Sequence, residues 1–198
     1  MAAQTAAEVQ RASVQYPGGL SARYRWAGSD RAADVFGVSE ATGRLTDHGP
    51  LVDSQPDRLC RAELRVEGPA GAWTARFASA IFDEPSAVLW DSHGLLVLAY
   101  GFRLYALDGR TGELRWSHDS RTPLVAVLAS STLDHVLLQS EVETIALRAD
   151  GEIAWRVAHD DVITAAELLA GQLVLTGYGG GRLVLDPRSG REIAAATD

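Results

Sequence analysis

Short runs of alternating apolar and polar positions recur along this chain in pairs, each pair joined by a turn that contains glycine. The clearest copy is Leu104-Tyr105-Ala106-Leu107-Asp108-Gly109-Arg110-Thr111-Gly112-Glu113-Leu114-Arg115-Trp116. Ahead of the turns, apolar side chains stand two apart at Tyr105 and Leu107, Ile145 and Leu147, Leu183 and Leu185, Leu64 and Val66, and Phe36 and Val38. A period of two turns one face of a strand toward a core. Asp108 and Asp186 can then hydrogen-bond the turn backbone, and Thr111, Thr42 or Ser189 precedes a glycine able to take a left-handed conformation. The outgoing strands carry Leu114 and Trp116, or Ile153 and Trp155, with Trp73 earlier in its register.

Aligned on Gly43, Gly71, Gly112, Gly151 and Gly190, the last three turns are spaced at about forty residues, the length of a four-stranded propeller blade. Two further strand-like runs precede each of these turns: 87–90 and 95–100, 124–128 and 135–139, 162–168 and 172–176. The pattern predicts an all-β, β-propeller-like domain of about five blades over residues 19–198. The blades are regular over 87–198, and the first two are irregular because Gly43 and Gly71 stand too close together. Residues 1–18 read as a flexible tail. Val35 to Val38 reads as a strand. Residues 162–169 have helix-favouring composition, but the repeat register predicts a strand there. Gly177-Tyr178-Gly179-Gly180-Gly181 has neither a following helix nor a Lys-Ser/Thr pair to hold a phosphate, so it reads as a hairpin turn.

Composition narrows the function. The chain has 198 residues, enough for one sizeable core. A formal net charge of -8, with no basic stripe interleaved with aromatics, speaks against nucleic acid and against anionic membrane surfaces. Met1 to Glu8 has neither the basic flank nor the apolar run of a secretory signal, which predicts a cytoplasmic protein. The single cysteine, Cys60, agrees with a reducing compartment. The basic residues are all arginine, and asparagine is absent as well, a bias that fits a GC-rich bacterial genome.

The Leu104–Trp116 motif resembles the repeat of the pyrroloquinoline-quinone-like, or quinoprotein-type, β-propeller family. Asp186-Pro187-Arg188-Ser189-Gly190 resembles it clearly, and residues 35–45 and 144–155 more loosely. The resemblance spans roughly residues 30–198 and implies the propeller fold. Dehydrogenases of that family use vicinal cysteines beside the quinone and a calcium held in part by asparagine. This chain has one cysteine and no asparagine, so no quinone-site residue carries over and no cofactor is expected.

The repeats also suggest where a ligand would meet the protein. Asp47-His48, His118-Asp119 and His159-Asp160-Asp161 follow outer strands, whose connections to the next inner strand cross one face of a propeller. His48, His118, Asp119, His159, Asp160 and Asp161 are therefore candidate ligand contacts on a shared loop face. Histidine with carboxylates can bind a metal or a cation, and the same residues can equally satisfy their own loops. Trp90-Asp91-Ser92-His93-Gly94 breaks the tryptophan repeat, which makes Trp90 and His93 candidates for an exposed recognition element. Serines near His118 and His135 match a hydrolase triad only in composition, without a Gly-x-Ser-x-Gly elbow. The expected function is non-catalytic binding of a protein or a small ligand; the alternative is a small lectin-like or hydrolytic enzyme using the same loop face. The ring would be a monomer when closed and a dimer when open.

Overall fold

In a computed structural model, the structure describes residues 8–36, 44–48 and 58–193. Gly43, Thr42, Val38 and the loop read at 53–57 lie outside the described residues. The chain divides into two compact units, Met1–Pro85 with Leu107–Leu114, and Ser86–Ala106 with Arg115–Asp198.

The first unit holds β1 (Gln10–Tyr16), β2 (Leu20–Ala27), a one-turn helix α1 (Ala32–Phe36), β3 (Arg44–Asp47), β4 (Cys60–Gly68) and β5 (Gly71–Ser79). They form one sheet in the order β1-β2-β4-β5-β3, antiparallel except for the β3–β5 pair. Register separates its two faces. Tyr24 pairs with Leu64 and Leu64 with Ala75; Trp26 pairs with Ala62 and Ala62 with Phe77; Ala22 pairs with Val66 and Val66 with Trp73. All of these are buried. The alternate positions carry mostly charged residues, as the period of two requires.

Two sequence expectations change here. Gln10–Tyr16, within the segment read as a tail, is a strand whose seven residues all pair with β2. Its alternation is hard to see because Ala12 and Val14 are the apolar members between exposed polar neighbours. Val35 lies in α1 rather than in a strand; Ala32-Ala33-Asp34 favours a helical turn, and Val35 is fully buried.

The remaining strands form three sheets: β6 (Ser86–Trp90), β7 (Leu95–Tyr100), β8 (Arg103–Asp108) and β9 (Leu114–Asp119); β10 (Leu124–Leu128), β11 (Val136–Ser140), β12 (Glu143–Leu147) and β13 (Ile153–Ala158); β14 (Ile163–Leu169), β15 (Gln172–Gly177) and β16 (Arg182–Leu185). The tip of the β8–β9 hairpin, Leu107–Leu114, is grouped with the first unit. Each sheet is a meander of sequential strands, the topology of a propeller blade. The third begins a fourth strand, with a bridge from Leu185 to Glu192 and Ile193 N donating to Val184 O at 2.8 Å. β14 is a strand despite its helical composition, because Ile163, Ala166 and Leu168 pack with Leu173 and Leu175 in an apolar core. The described residues thus carry four sheets. The first two repeats share a single sheet, and the three regular blades fall where the forty-residue period puts them.

One device recurs between successive repeats. Trp73 lies on Gly112, Trp116 on Gly151 and Trp155 on Gly190, so close that a Cβ at these glycines would lie 2.5, 2.9 and 2.6 Å from the indole. The glycines have φ of 70°, 88° and 69°. Trp73 Nε1 donates to Gly109 O at 3.2 Å, and Trp116 Nε1 donates to Ala149 O at 2.8 Å. In the third copy the matching carbonyl, Pro187 O, is bonded instead by His135 Nε2 at 2.7 Å. His135 stands edge-on to Trp155, whose own Nε1 is buried without a hydrogen-bond partner.

Candidate functional site

One end of the second unit is built by a repeating backbone ladder. The β7–β8 turn at Gly101 and Phe102 accepts from Leu124 N at 2.9 Å and from Ser120 N at 2.8 Å. Glu141 N then donates to Pro123 O at 3.2 Å, while Glu141 O and Val142 O accept from Ile163 N at 2.6 Å and His159 N at 2.8 Å. Tyr178 N continues the series to Val162 O at 2.7 Å. Strand connections and hairpin turns of neighbouring blades are thus stitched side by side. The ladder satisfies the loop backbone while leaving side chains outward. Three of those side chains are exposed hydrophobics in succession, Val142, Val162 and Tyr178, the last 82% exposed.

His159, Asp160 and Asp161 fall on this end, beside an open pocket of about 420 Å³. Ile163, Leu183 and Leu185 give it an apolar lining, and Arg182 and Glu192 also line it. Asp161 Oδ1 accepts from Val162 N at 2.8 Å, and its carboxylate occupies the space a side chain at Gly177 would need. His159 Nε2 meets Thr144 Oγ1 at 2.7 Å, and Thr144 donates to Gln139 Oε1 at 2.5 Å. With that hydroxyl proton committed, His159 is the donor to Thr144 and holds the ε tautomer. Gln139 passes the chain on to Ser140 O and Glu143 O. The network ties the loop to the buried β11–β12 hairpin.

His118 is near but not equivalent. Aligned on Trp116 and Trp155, His159 matches Ser120, and His118 stands two positions earlier on β9. It shares the field of Glu143 with His159, and Glu143 is paired with Arg156 at 2.9 Å. Burial, assisted by Arg156, lowers the His118 pKa, while Asp119 and Glu143 oppose the shift; burial likewise lowers that of His159 against Glu143 and Asp160. Both rings are therefore neutral at pH 7, suited to hydrogen bonding rather than to holding an anion. Asp119 forms a two-pronged pair with Arg103, which removes it from the pocket chemistry.

The other sequence candidates lie elsewhere. His48 belongs to the first unit, against Phe77, with its pKa lowered by burial. Trp90 is a correction: it is 1% exposed and packs in the core with Leu95, Val97 and Leu104, because the position ending β6 faces inward. His93 lies against it, the ring centroids 4.1 Å apart and the planes tilted by 59°, in a short turn closed by Gly94. His135 is buried and engaged with Pro187, away from any serine-activating role. Among the described residues no group of three His, Cys, Asp or Glu side chains could hold a metal ion. Sequence reading missed the apolar members of the rim, Val142, Val162 and Tyr178; their signal was that each occupies a turn or connection between strands, where an apolar residue has no core to enter.

A family model of PQQ-like repeats, described as outer membrane protein assembly factor BamB, matches residues 67–197. The chain belongs to this family. Among solved structures, BamB from Moraxella catarrhalis is 24% identical over 55% of this chain and 34% of its own, with a TM-score of 0.45. The WD40 domain of Neurospora crassa Pan2 is 15% identical over 55% and 36%, at 0.49. The computationally designed Ika8 protein is 14% identical over 68% and 45%, at 0.50. This chain therefore spans less than half the length of each of these structures. No curated protein sequence matches it significantly. The fold is that of β-propellers with PQQ-like repeats, as the turn motif implied. Among the described residues, no helix is long and apolar enough to cross a membrane.

Proposed function

We propose that this chain is a non-catalytic β-propeller module that presents the loop end of its second unit to a protein partner. The observation that carries the reading is the ladder that aligns Val142, Val162 and Tyr178 beside the pocket of His159, Asp160 and Asp161. Exposed apolar side chains on neighbouring loops mark interaction surfaces, and tyrosine is enriched at them. A rigid backbone beneath lowers the ordering cost of binding. The family description, an outer membrane protein assembly factor, supports a protein partner as well. His118 and Asp119, on β9 before the connection to β10, stand behind this surface.

The test is comparative capture. Wild-type protein and the triple variant Val142→Ser/Val162→Ser/Tyr178→Ser are immobilised at equal density and offered the same native extract. A partner retained by wild type and lost in the variant, with both proteins equally stable, supports the reading; retention by both refutes it. The open pocket favours one alternative, a small ligand at the same loop face. That reading requires a metabolite that raises the wild-type melting temperature and does so less in Asp160→Ala.

A further inference from the structure

The first unit carries a second surface, of opposite character to the rest of the chain. On the polar face of its sheet, alternate positions of β1, β2, β4 and β5 place Arg11, Arg23, Arg25, Arg61, Arg65 and Arg76 together. Glu63 and Glu67 share the face, with Asp47 at its far edge beside Arg76. The excess of cations stands on a protein of net charge -8. Two pairs of arginines are direct cross-strand partners, Arg11 with Arg25 and Arg23 with Arg65. Like charges placed opposite one another destabilise a sheet unless carboxylates lie among them.

Among the described residues, the two glutamates of this face are committed. Glu63, almost wholly buried, pairs with Arg25 at 2.6 Å and Arg76 at 3.2 Å. Glu67 pairs with Arg65 at 2.9 Å and Arg23 at 3.6 Å. Arg25 also donates to Val35 O at 2.7 Å, so α1 covers that part of the face. The β1 side stays open: Arg11, Ser13 and Gln15 are exposed, and Arg23 is 62% exposed. Arg11 has no carboxylate partner among the described residues.

We propose that Arg11, Arg23 and Arg65 dock an acidic segment of a partner protein in extended conformation. Arg11 and Arg23 are diagonal neighbours on adjacent strands, at about 7–8 Å between Cα atoms. Carboxylates two residues apart on an extended chain are separated by about 7 Å, which matches. Guanidinium groups bind carboxylates through paired hydrogen bonds, and Ser13, Gln15 and Ser21 supply further polar groups at the margin. A single-stranded nucleic acid fits less well, because among the described residues no aromatic side chain on this face stacks a base. Most of this surface precedes residue 67, outside the family match, and is independent of the loop end of the second unit.

The probe is a fluorescein-labelled peptide, Gly-Glu-Val-Glu-Val-Glu-Gly, followed by anisotropy at low salt beside its Gln-for-Glu counterpart and a twelve-base oligothymidylate. Saturable binding of the Glu peptide alone is expected, weakened at least tenfold in Arg11→Gln/Arg23→Gln and less than twofold in Arg121→Gln/Arg188→Gln, which removes the same charge elsewhere. Unchanged thermal melting of the first variant establishes that the loss is not unfolding, and Arg23→Gln alone gives an intermediate loss. Equal binding of the Gln peptide, tighter binding of the oligothymidylate, equal weakening by both double variants, or no saturable binding would overturn the proposal.

Discussion

Substituting Gly151 by alanine isolates the contact that joins one repeat to the next. Gly151 has φ of 88°, and a Cβ there would lie 2.9 Å from Trp116 Cγ and 3.1 Å from its Cβ. The backbone conformation alone costs a non-glycine residue about 1 kcal/mol. The indole must then move within a packed interface, costing about 1–3 kcal/mol. Moving it also strains the 2.8 Å hydrogen bond from Trp116 Nε1 to Ala149 O, a further ~1 kcal/mol. The total is about 3–5 kcal/mol. Gly180 is the control, since its φ is 82° and nothing lies within 4 Å of an added Cβ, which leaves only about 1 kcal/mol. Urea unfolding followed by far-ultraviolet circular dichroism measures both. In a Trp116→Ala background the indole contacts are gone and only the 3.1 Å approach to the Cβ of residue 116 remains, so Gly151→Ala should fall most of the way to the cost of Gly180→Ala. A Gly151→Ala cost equal to that of Gly180→Ala in the wild-type background, or unchanged after Trp116→Ala, would refute the assignment of this contact as the inter-repeat latch.

Trp155→Phe should cost about 1 kcal/mol less than Trp116→Phe by chemical denaturation, because Trp155 Nε1 makes no hydrogen bond to lose. Glu63→Ala should cost about 3 kcal/mol or more, since it leaves Arg25 and Arg76 without their buried counter-charge; a loss under 1 kcal/mol would show that solvent already screens them. Burial lowers the folded-state pKa of His48, His118 and His159 below 6.5, so the unfolded chain takes up protons first. Their contribution to stability is complete above that pH and is lost as pH falls from about 6.5 toward the lowered values. A melting temperature measured from pH 7.5 to 5 should decline less in His118→Gln/His159→Gln than in wild type. Tyr178→Ser should change stability by less than about 0.5 kcal/mol, as its side chain is almost fully exposed.

The repeat was legible because each glycine turn has a local cause and a distant one. Asp108 and Asp186 close their own turns through side-chain bonds to the following amides, a short-range signal. The glycines also receive a tryptophan from the preceding repeat, which ties the motif to blade spacing. Residues 163–169 form a strand even though Ala165-Ala166-Glu167-Leu168-Leu169 favours a helix, because Ile163, Ala166 and Leu168 pack with Leu173 and Leu175 in the blade's core. Trp90 shows the limit of reading by analogy: as the tryptophan out of phase with the latch it looked exposed, whereas its place at the end of β6 points it into the core. The arginine face was harder to see. Its members alternate with apolar residues in strands far apart in sequence, and only register shows that Arg11, Arg23 and Arg65 are neighbours. The exposed apolar residues Val142, Val162 and Tyr178 were hidden for the same reason, since only backbone hydrogen bonds between loops show that their loops are neighbours.

The most direct test of the binding assignment places a photoreactive phenylalanine analogue at position 178, and in a parallel protein at Ile153, an exposed apolar position that begins β13 just beyond the turn at the other end of its sheet. A discrete cross-linked partner from position 178, and none from position 153, is the expected result. Cross-linking from 153 with none from 178 would contradict it.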